Sequence, residues 1–176
     1  DTESKVYSTN VSDYLGGSDV VSITSIDVAW SATSGVTFAI AYIDKTESSY
    51  LSTSTGNRIA IVQDGVLLDN DIIKTASQEV ANTGVNDVVI SALGTQVVFS
   101  SAANNLVDYL DTNDVSDVFL LDISKATLQR VSQITNDDEA SEPAYVLGFS
   151  TVDGVTKILF ETAAAEFSTD DLNEAN

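Results

Sequence analysis

The segment "DTNDVSD", residues 111–117, carries the residues with the clearest chemical spacing. Asp111, Asn113 and Asp117, with the Val115 carbonyl between them, put oxygen at alternate positions. Calcium loops present oxygen to a hard cation that takes six to eight such ligands at this spacing. Asp108 and Asp114 would add charge. The loop lacks the glycine at its sixth position and the bidentate glutamate at its twelfth, so it is not an EF-hand. Asp171 and Asn173, followed by Glu174, repeat the first half of the pattern. Ca2+ is the one cofactor this spacing suggests. The same Asp and Asn types also close Asx turns by bonding to nearby backbone N–H groups. Both readings stay open on sequence alone.

The other candidates are weaker. The run "TNDDEASEP" (135–143) holds Asp137, Asp138, Glu139 and Glu142, and reads as a solvated loop or a second cation site. Ser31, Ser91 and Ser150 recur at strand ends. A nucleophilic serine needs a base, and the chain has no histidine. Only a Ser–Lys pair using Lys45 or Lys157 would remain. Glycoside hydrolysis needs two carboxylates at a set separation, and 27 acidic residues offer no way to choose a pair. Tyr14, Tyr50 and Tyr109 lie in loop-like segments, where an aromatic ring can stack on a glycan or a protein ligand. Asn10-Val11-Ser12 fits the glycosylation sequon.

Composition excludes more than it assigns. The chain has no Cys, His or Met. Disulfides, zinc–thiolate centres, haem, cysteine nucleophiles and Ser-His-Asp triads are therefore excluded. Seven basic against 27 acidic residues give a net charge of −20. Such a surface repels nucleic acid and anionic lipid. No window approaches 18 continuous apolar residues, so no membrane insertion by a helix is expected. The sequence opens on Asp1 without a leader, which suggests a mature or excised chain. A secreted, extracellular or periplasmic location follows as an expectation, consistent with a chain that resists oxidation.

These residues must be positioned by strands. Val97–Phe99, Val118–Leu121, Ile59–Val62, Ala39–Tyr42 and Ile158–Phe160 are short apolar or alternating runs bounded by Gly, Asn, Asp or Ser. "TSG", "QDG", "LG" and "VDG" supply turns. Pro143 precedes a strand at Tyr145–Phe149. Ala102–Val107 and Ala163–Phe167 read as loops or short 3₁₀ pieces. The runs also repeat. "WSATSGVTFAIAY" (30–42), "ISALGTQVVFSS" (90–101) and "FSTVDGVTKILFE" (149–161) share an aromatic or apolar residue, a serine, a turn glycine and a strand, with Trp30, Ile90 and Phe149 at equivalent places. "RIAIVQDG" (58–65) occupies in the first copy the place of "DVFLLDIS" (117–124) in the second. The expectation is an all-β chain of about three copies of roughly 60 residues, near 20–85, 86–143 and 144–176, the last incomplete. Trp30, Tyr42, Phe99, Phe119, Phe149 and Phe160 are expected to pack between the repeats.

The segment 91–132 resembles a repeat of the TolB-like, WD40-like β-propeller family. Asp122, Thr127, Arg130, Val131 and Ser132 match its closing motif, and Asp153-Gly154 matches its turn in the third copy. The first copy departs from the pattern, with "SSYLSTSTGN" in place of the Asp-x-Asn loop. The resemblance implies β-propeller-type repeats of short antiparallel strands, and no single activity. Three copies fall short of the four to eight blades that close a propeller. That shortfall implies self-association or neighbouring domains as partners. The expected role is a non-catalytic binding or structural module; the alternative is the propeller portion of a secreted carbohydrate- or peptide-degrading enzyme.

Overall fold

The computed structural model describes residues 20–44, 56–69, 81–107, 111–134, 138–152 and 155–167. Within them the chain is all-β, with ten strands in three antiparallel sheets. Sheet 1 contains β1 (Val20–Ser31), β2 (Gly35–Asp44), β3 (Gly56–Gln63) and β4 (Val66–Asp69). Sheet 2 contains β5 (Val85–Ile90), β6 (Gln96–Ser101), β7 (Asp117–Asp122) and β8 (Thr127–Arg130). Each is a simple meander, its strands paired in chain order. Sheet 3 contains β9 (Ala144–Val152) and β10 (Val155–Thr162), followed by a 3₁₀ turn at Ala165–Phe167. The apolar runs expected to be strands all lie in these elements.

Local chemistry sets the turns. Asp64 and Gly65 join β3 to β4 with φ of 47° and 79°. Positive φ at both central residues is the signature of a type I′ hairpin turn, whose twist matches the strands it joins. Asp64 also accepts the Val36 N–H at 3.0 Å, tying that turn to the start of β2. Gly35, at φ 64°, sits against it; a Cβ there would collide with the Asp64 carboxylate. Ser91 performs a similar task between β5 and β6. Its Oγ accepts the N–H groups of Thr95 at 3.3 Å and Gln96 at 3.1 Å.

The sheets stack face to face, with the first strands β1, β5 and β9 adjacent. Call the face of each sheet turned towards the next its front. The front of sheet 1 (Ala29, Ala39, Ala41, Ile59, Ile61) packs on the back of sheet 2 (Ile90, Val97, Phe99, Phe119, Leu121). The front of sheet 2 (Val98, Val118, with Val89 and Leu120) packs on the back of sheet 3 (Ala144, Val146, Phe149, Ile158, Phe160). Phe99 and Phe119 stack at 5.6 Å within the first of these cores. Burying such apolar faces is the main favourable term in forming the stack. Polar atoms register it. The Ser25 Oγ accepts the Val88 N–H at 3.1 Å, Asp27 Oδ2 accepts the Ile90 N–H at 2.9 Å, and Ser100 Oγ accepts the Val146 N–H at 2.8 Å.

The internal repeat is mirrored in this arrangement. Ile59 and Val118, aligned by sequence, both face forward; Ala60 and Phe119 both face back. Because side chains alternate along a strand, a one-residue slip would reverse all of them. The expectation for the aromatics is corrected at one residue. Tyr42, Phe99 and Phe119 are buried, but Trp30 is 69% exposed. It lies on the back of sheet 1, where the strip along β1 is exposed while Ile40, Tyr42, Ala60 and Val62 on β2 and β3 are buried.

Candidate functional site

The Asp111 loop, the start of β7, the end of β8 and the segment after it meet at one point, and Arg130 fills it. Antiparallel pairing sets Arg130 opposite Phe119. Asp117, two residues earlier on β7, is thereby within reach of the guanidinium. Arg130 Nη1 lies 3.2 Å from Asp117 Oδ2, 3.1 Å from Glu139 Oε1 and 3.9 Å from Asp111 Oδ2. Arg130 is 2% exposed, Asp117 1% and Ser132 0%. The Ser132 hydroxyl donates to Asp117 Oδ1 at 2.5 Å, and its oxygen accepts the Val118 N–H at 2.9 Å. Thr112 gives its N–H and its hydroxyl to the two oxygens of Glu139, each at 2.8 Å.

The four described residues of the proposed calcium loop take distinct places here. Asp111 and Asp117 point their carboxylates at Arg130. Asn113 Oδ1 accepts the Val115 N–H at 3.1 Å, an Asx turn, and its Nδ2 donates to the Ala140 carbonyl at 3.0 Å. In this geometry the guanidinium is the cation the carboxylates surround. Among the described residues no group of three or more His, Cys, Asp or Glu side chains is arranged to hold a metal ion. Asp171 and Asn173 lie outside the described residues, as do Asp108, Asp137, Lys45, Glu174, Tyr14, Tyr50, Tyr109 and the Asn10 sequon.

Three carboxylates around one guanidinium leave negative charge in surplus. Burial pushes the Asp111 carboxyl up to about 6, and neighbouring Asp117 pushes the same way while Arg130 opposes both. Asp111 Oδ2 accepts no hydrogen bond, which adds to the cost of ionising it. Asp117 is also raised by burial, against the pull of Ser132 and Arg130. Glu139 behaves oppositely: burial raises it, but its Thr112 bonds and Arg130 outweigh that and hold it below the usual carboxylate range. Arg130 loses hydration on burial, yet its three acidic neighbours leave it more firmly protonated than in water.

The sequence reading found Asp111, Asn113 and Asp117 but not the group they surround. It placed Glu139 in a run that reads as a solvated loop or a second cation site. Arg130 and Ser132 stand together in the closing motif, but nothing in that motif marks Asp111 or Glu139 as their partners. Two of the candidate serines have structural work. Ser31 Oγ accepts the Ser34 N–H at 2.9 Å, and Ser91 holds its turn. Ser150 faces Lys157 across the β9–β10 pair, but Lys157 is exposed to solvent, and lysine acts as a base when desolvated.

A second feature is apolar. On β1, Ile23, Ile26, Val28 and Trp30 are 43%, 49%, 54% and 69% exposed and share the back face of sheet 1. Val28, Trp30, Val36 and Phe38 line an open groove of about 370 Å³ there. A wider cleft of about 640 Å³ is lined by residues of all three first strands, Trp30, Ile90 and Phe149 among them. No protein-family model, curated protein or solved structure matches this chain.

Proposed function

We propose that this chain is a non-catalytic binding or structural module of propeller type, extracellular or periplasmic, whose sheets act as blades of a larger assembly. One observation carries the reading. Trp30, Ile90 and Phe149 are equivalent in the repeat. Ile90 is 6% exposed, in the core shared with sheet 1, and Phe149 packs in the core shared with sheet 2. Trp30 occupies the same position and is 69% exposed. The β1 strip on the back of sheet 1 therefore has the composition of a blade face and is exposed, while Ile40, Tyr42, Ala60 and Val62 at the centre of that face are buried.

Three further points support the reading. Each four-stranded sheet is a meander, the order of a propeller blade. The first strands share one cleft, as strands around an axis would. The segment 91–132 resembles a TolB-like repeat, and Arg130 and Ser132, which match its closing motif, hold the Asp117 end of β7. Ser31 and Ser91 carry turn bonds, which favours binding or assembly over catalysis.

The absence of cysteine allows a direct test, because any introduced pair is unique. Spin labels at Ser22→Cys and Asn86→Cys report the first strands; labels at Leu68→Cys and Gln129→Cys report the last. Blades arranged as wedges give a clearly longer separation for the last-strand pair. Two equal separations near the roughly 10 Å of flat stacked sheets would reject the propeller reading.

A further inference from the structure

The cleft of about 640 Å³ is lined by β1, β5, β9 and the turn between β5 and β6. Its volume falls within the roughly 300–1,000 Å³ of small-molecule sites. The chain carries 27 acidic and 7 basic residues, yet none of the residues lining the cleft is charged. Ile90 and Phe149 supply apolar wall, and Trp30 and Leu93 are 69% and 65% exposed. Thr95, Gln96 and Thr156 add two hydroxyls and a carboxamide. None of these three side chains is hydrogen-bonded to another described residue, and each can both donate and accept.

We infer that this cleft binds an uncharged oligosaccharide, with the Trp30 indole stacked on the face of a sugar ring and Thr95, Gln96 and Thr156 bonded to its hydroxyls. The site rests on the binding-module reading and names its ligand class. A sugar ring has the two chemistries the cleft offers, apolar C–H faces and a rim of hydroxyls. An indole presents a large, rigid apolar surface for the first. A wholly apolar ligand would take water from the two hydroxyls and the carboxamide and return no hydrogen bond, which is costly. An ionised ligand would lose its hydration with no counter-charge in the cleft. An anion would in addition meet a net charge of −20, and a cation finds carboxylates only outside the lining. A peptide that adds as a strand needs free backbone groups along a sheet edge. On β5 the Val88 and Ile90 N–H groups already donate to Ser25 Oγ and Asp27 Oδ2, so the middle of the cleft offers a peptide no ladder.

The single tryptophan of the chain lines the cleft, so its emission reports occupancy directly. The whole chain is titrated with cellohexaose, mannohexaose, xylohexaose and chitohexaose, and with hexagalacturonate as the ionised control. At least one neutral hexasaccharide is expected to shift the emission to the blue and to saturate, and hexagalacturonate to leave it unchanged. By calorimetry, Trp30→Ala should weaken that binding at least about tenfold, and Gln96→Ala about fivefold, both with unchanged circular dichroism. Trp30→Phe keeps a ring and should retain part of the affinity. Binding by none of the four neutral saccharides would overturn the proposal. So would tighter binding of hexagalacturonate, or affinity that survives Trp30→Ala. A blue shift with the uncharged peptide acetyl-(Ser-Val)₃-amide and with none of the saccharides would overturn it in favour of a peptide site. Absence of saccharide binding with spin-label distances that still show wedges rejects only the ligand; equal distances reject the propeller reading beneath it.

Discussion

The Arg130 cluster and the Trp30 face invert the usual placement of residues. The first buries an arginine and acidic groups; the second leaves an indole and three aliphatic side chains in water. Charged residues are seldom fully buried unless paired, and large apolar patches are seldom left exposed. The difference lies in what each lacks. The charges of the cluster find their partners inside the chain, within one sheet and the loops at its end. The apolar strip runs along β1 beside a buried cluster on the same face and stays largely in water. Burial of charge here points inward, to the locking of two loops onto β7. Exposure of apolar surface marks where that packing stops.

The comparison can be broken most decisively at Arg130. Arg130→Met removes the guanidinium and leaves three acidic groups crowded together. A loss of about 4 kcal/mol is expected from breaking a buried pair, measured by urea unfolding. A near-neutral result would mean the cluster contributes nothing to the native state. Arg130→Lys should recover only part, because a single ammonium cannot reproduce the guanidinium fork.

The next effect compares one repeat position in two settings. Ile90→Ala removes three carbons from a closed core and should cost about 3 kcal/mol. Trp30→Ala, measured in dilute solution, should change stability by no more than about 0.5 kcal/mol, as for other exposed sites. Equal costs at the two positions would show that the β1 strip is covered in solution.

The pH dependence of the cluster comes third. Asp111 has its carboxyl raised to about 6 from an ordinary value of 3.8. The folded state therefore binds more protons than the unfolded state between those values, and stability falls as pH rises through that window. Asp111→Asn should thus raise stability at pH 7.5, by up to roughly 2 kcal/mol, and flatten the melting curve between about pH 4 and pH 6. The same change at pH 4 should be nearly neutral. Asp122 acts in the opposite direction. Bonds from Lys125 and Ser124 hold its carboxyl at about 2, so its contribution is present above its ordinary value and is lost as pH falls towards 2. A wild-type melting temperature that does not rise between pH 7.5 and pH 5 would contradict the assignment to Asp111.

The smallest effect expected is that of a chelator. Arg130 stands where the carboxylates converge, so removing calcium should leave the melting temperature unchanged. A marked drop would show that Ca2+ reaches the Asp111 loop, or binds at Asp171 and Asn173.

Much of this was legible in the sequence, and for a physical reason. Strands declare themselves by alternation and by turn residues at their ends, both local properties. The runs at Ala39–Tyr42, Ile59–Val62, Val97–Phe99 and Val118–Leu121 are strands for that reason. The repeat was legible because equal faces need equal patterns. Asp111, Asn113 and Asp117 stood out because their spacing is local too, and Asn113 does form the Asx turn that was one of its two readings. What lay beyond the sequence was contact between distant residues. Arg130 reaches Asp111 and Glu139 only when β8 pairs with β7 and the following segment folds back, so no spacing could announce it. The exposure of Trp30 was equally hidden. An aromatic residue at a repeat position calls for a neighbouring sheet, but only the stacking order decides whether one is there. Residue type and periodicity were thus enough to determine strands, turns and repeats. Only the tertiary structure decided which charges share a site and which apolar strip stays exposed, because both depend on which surfaces are brought together.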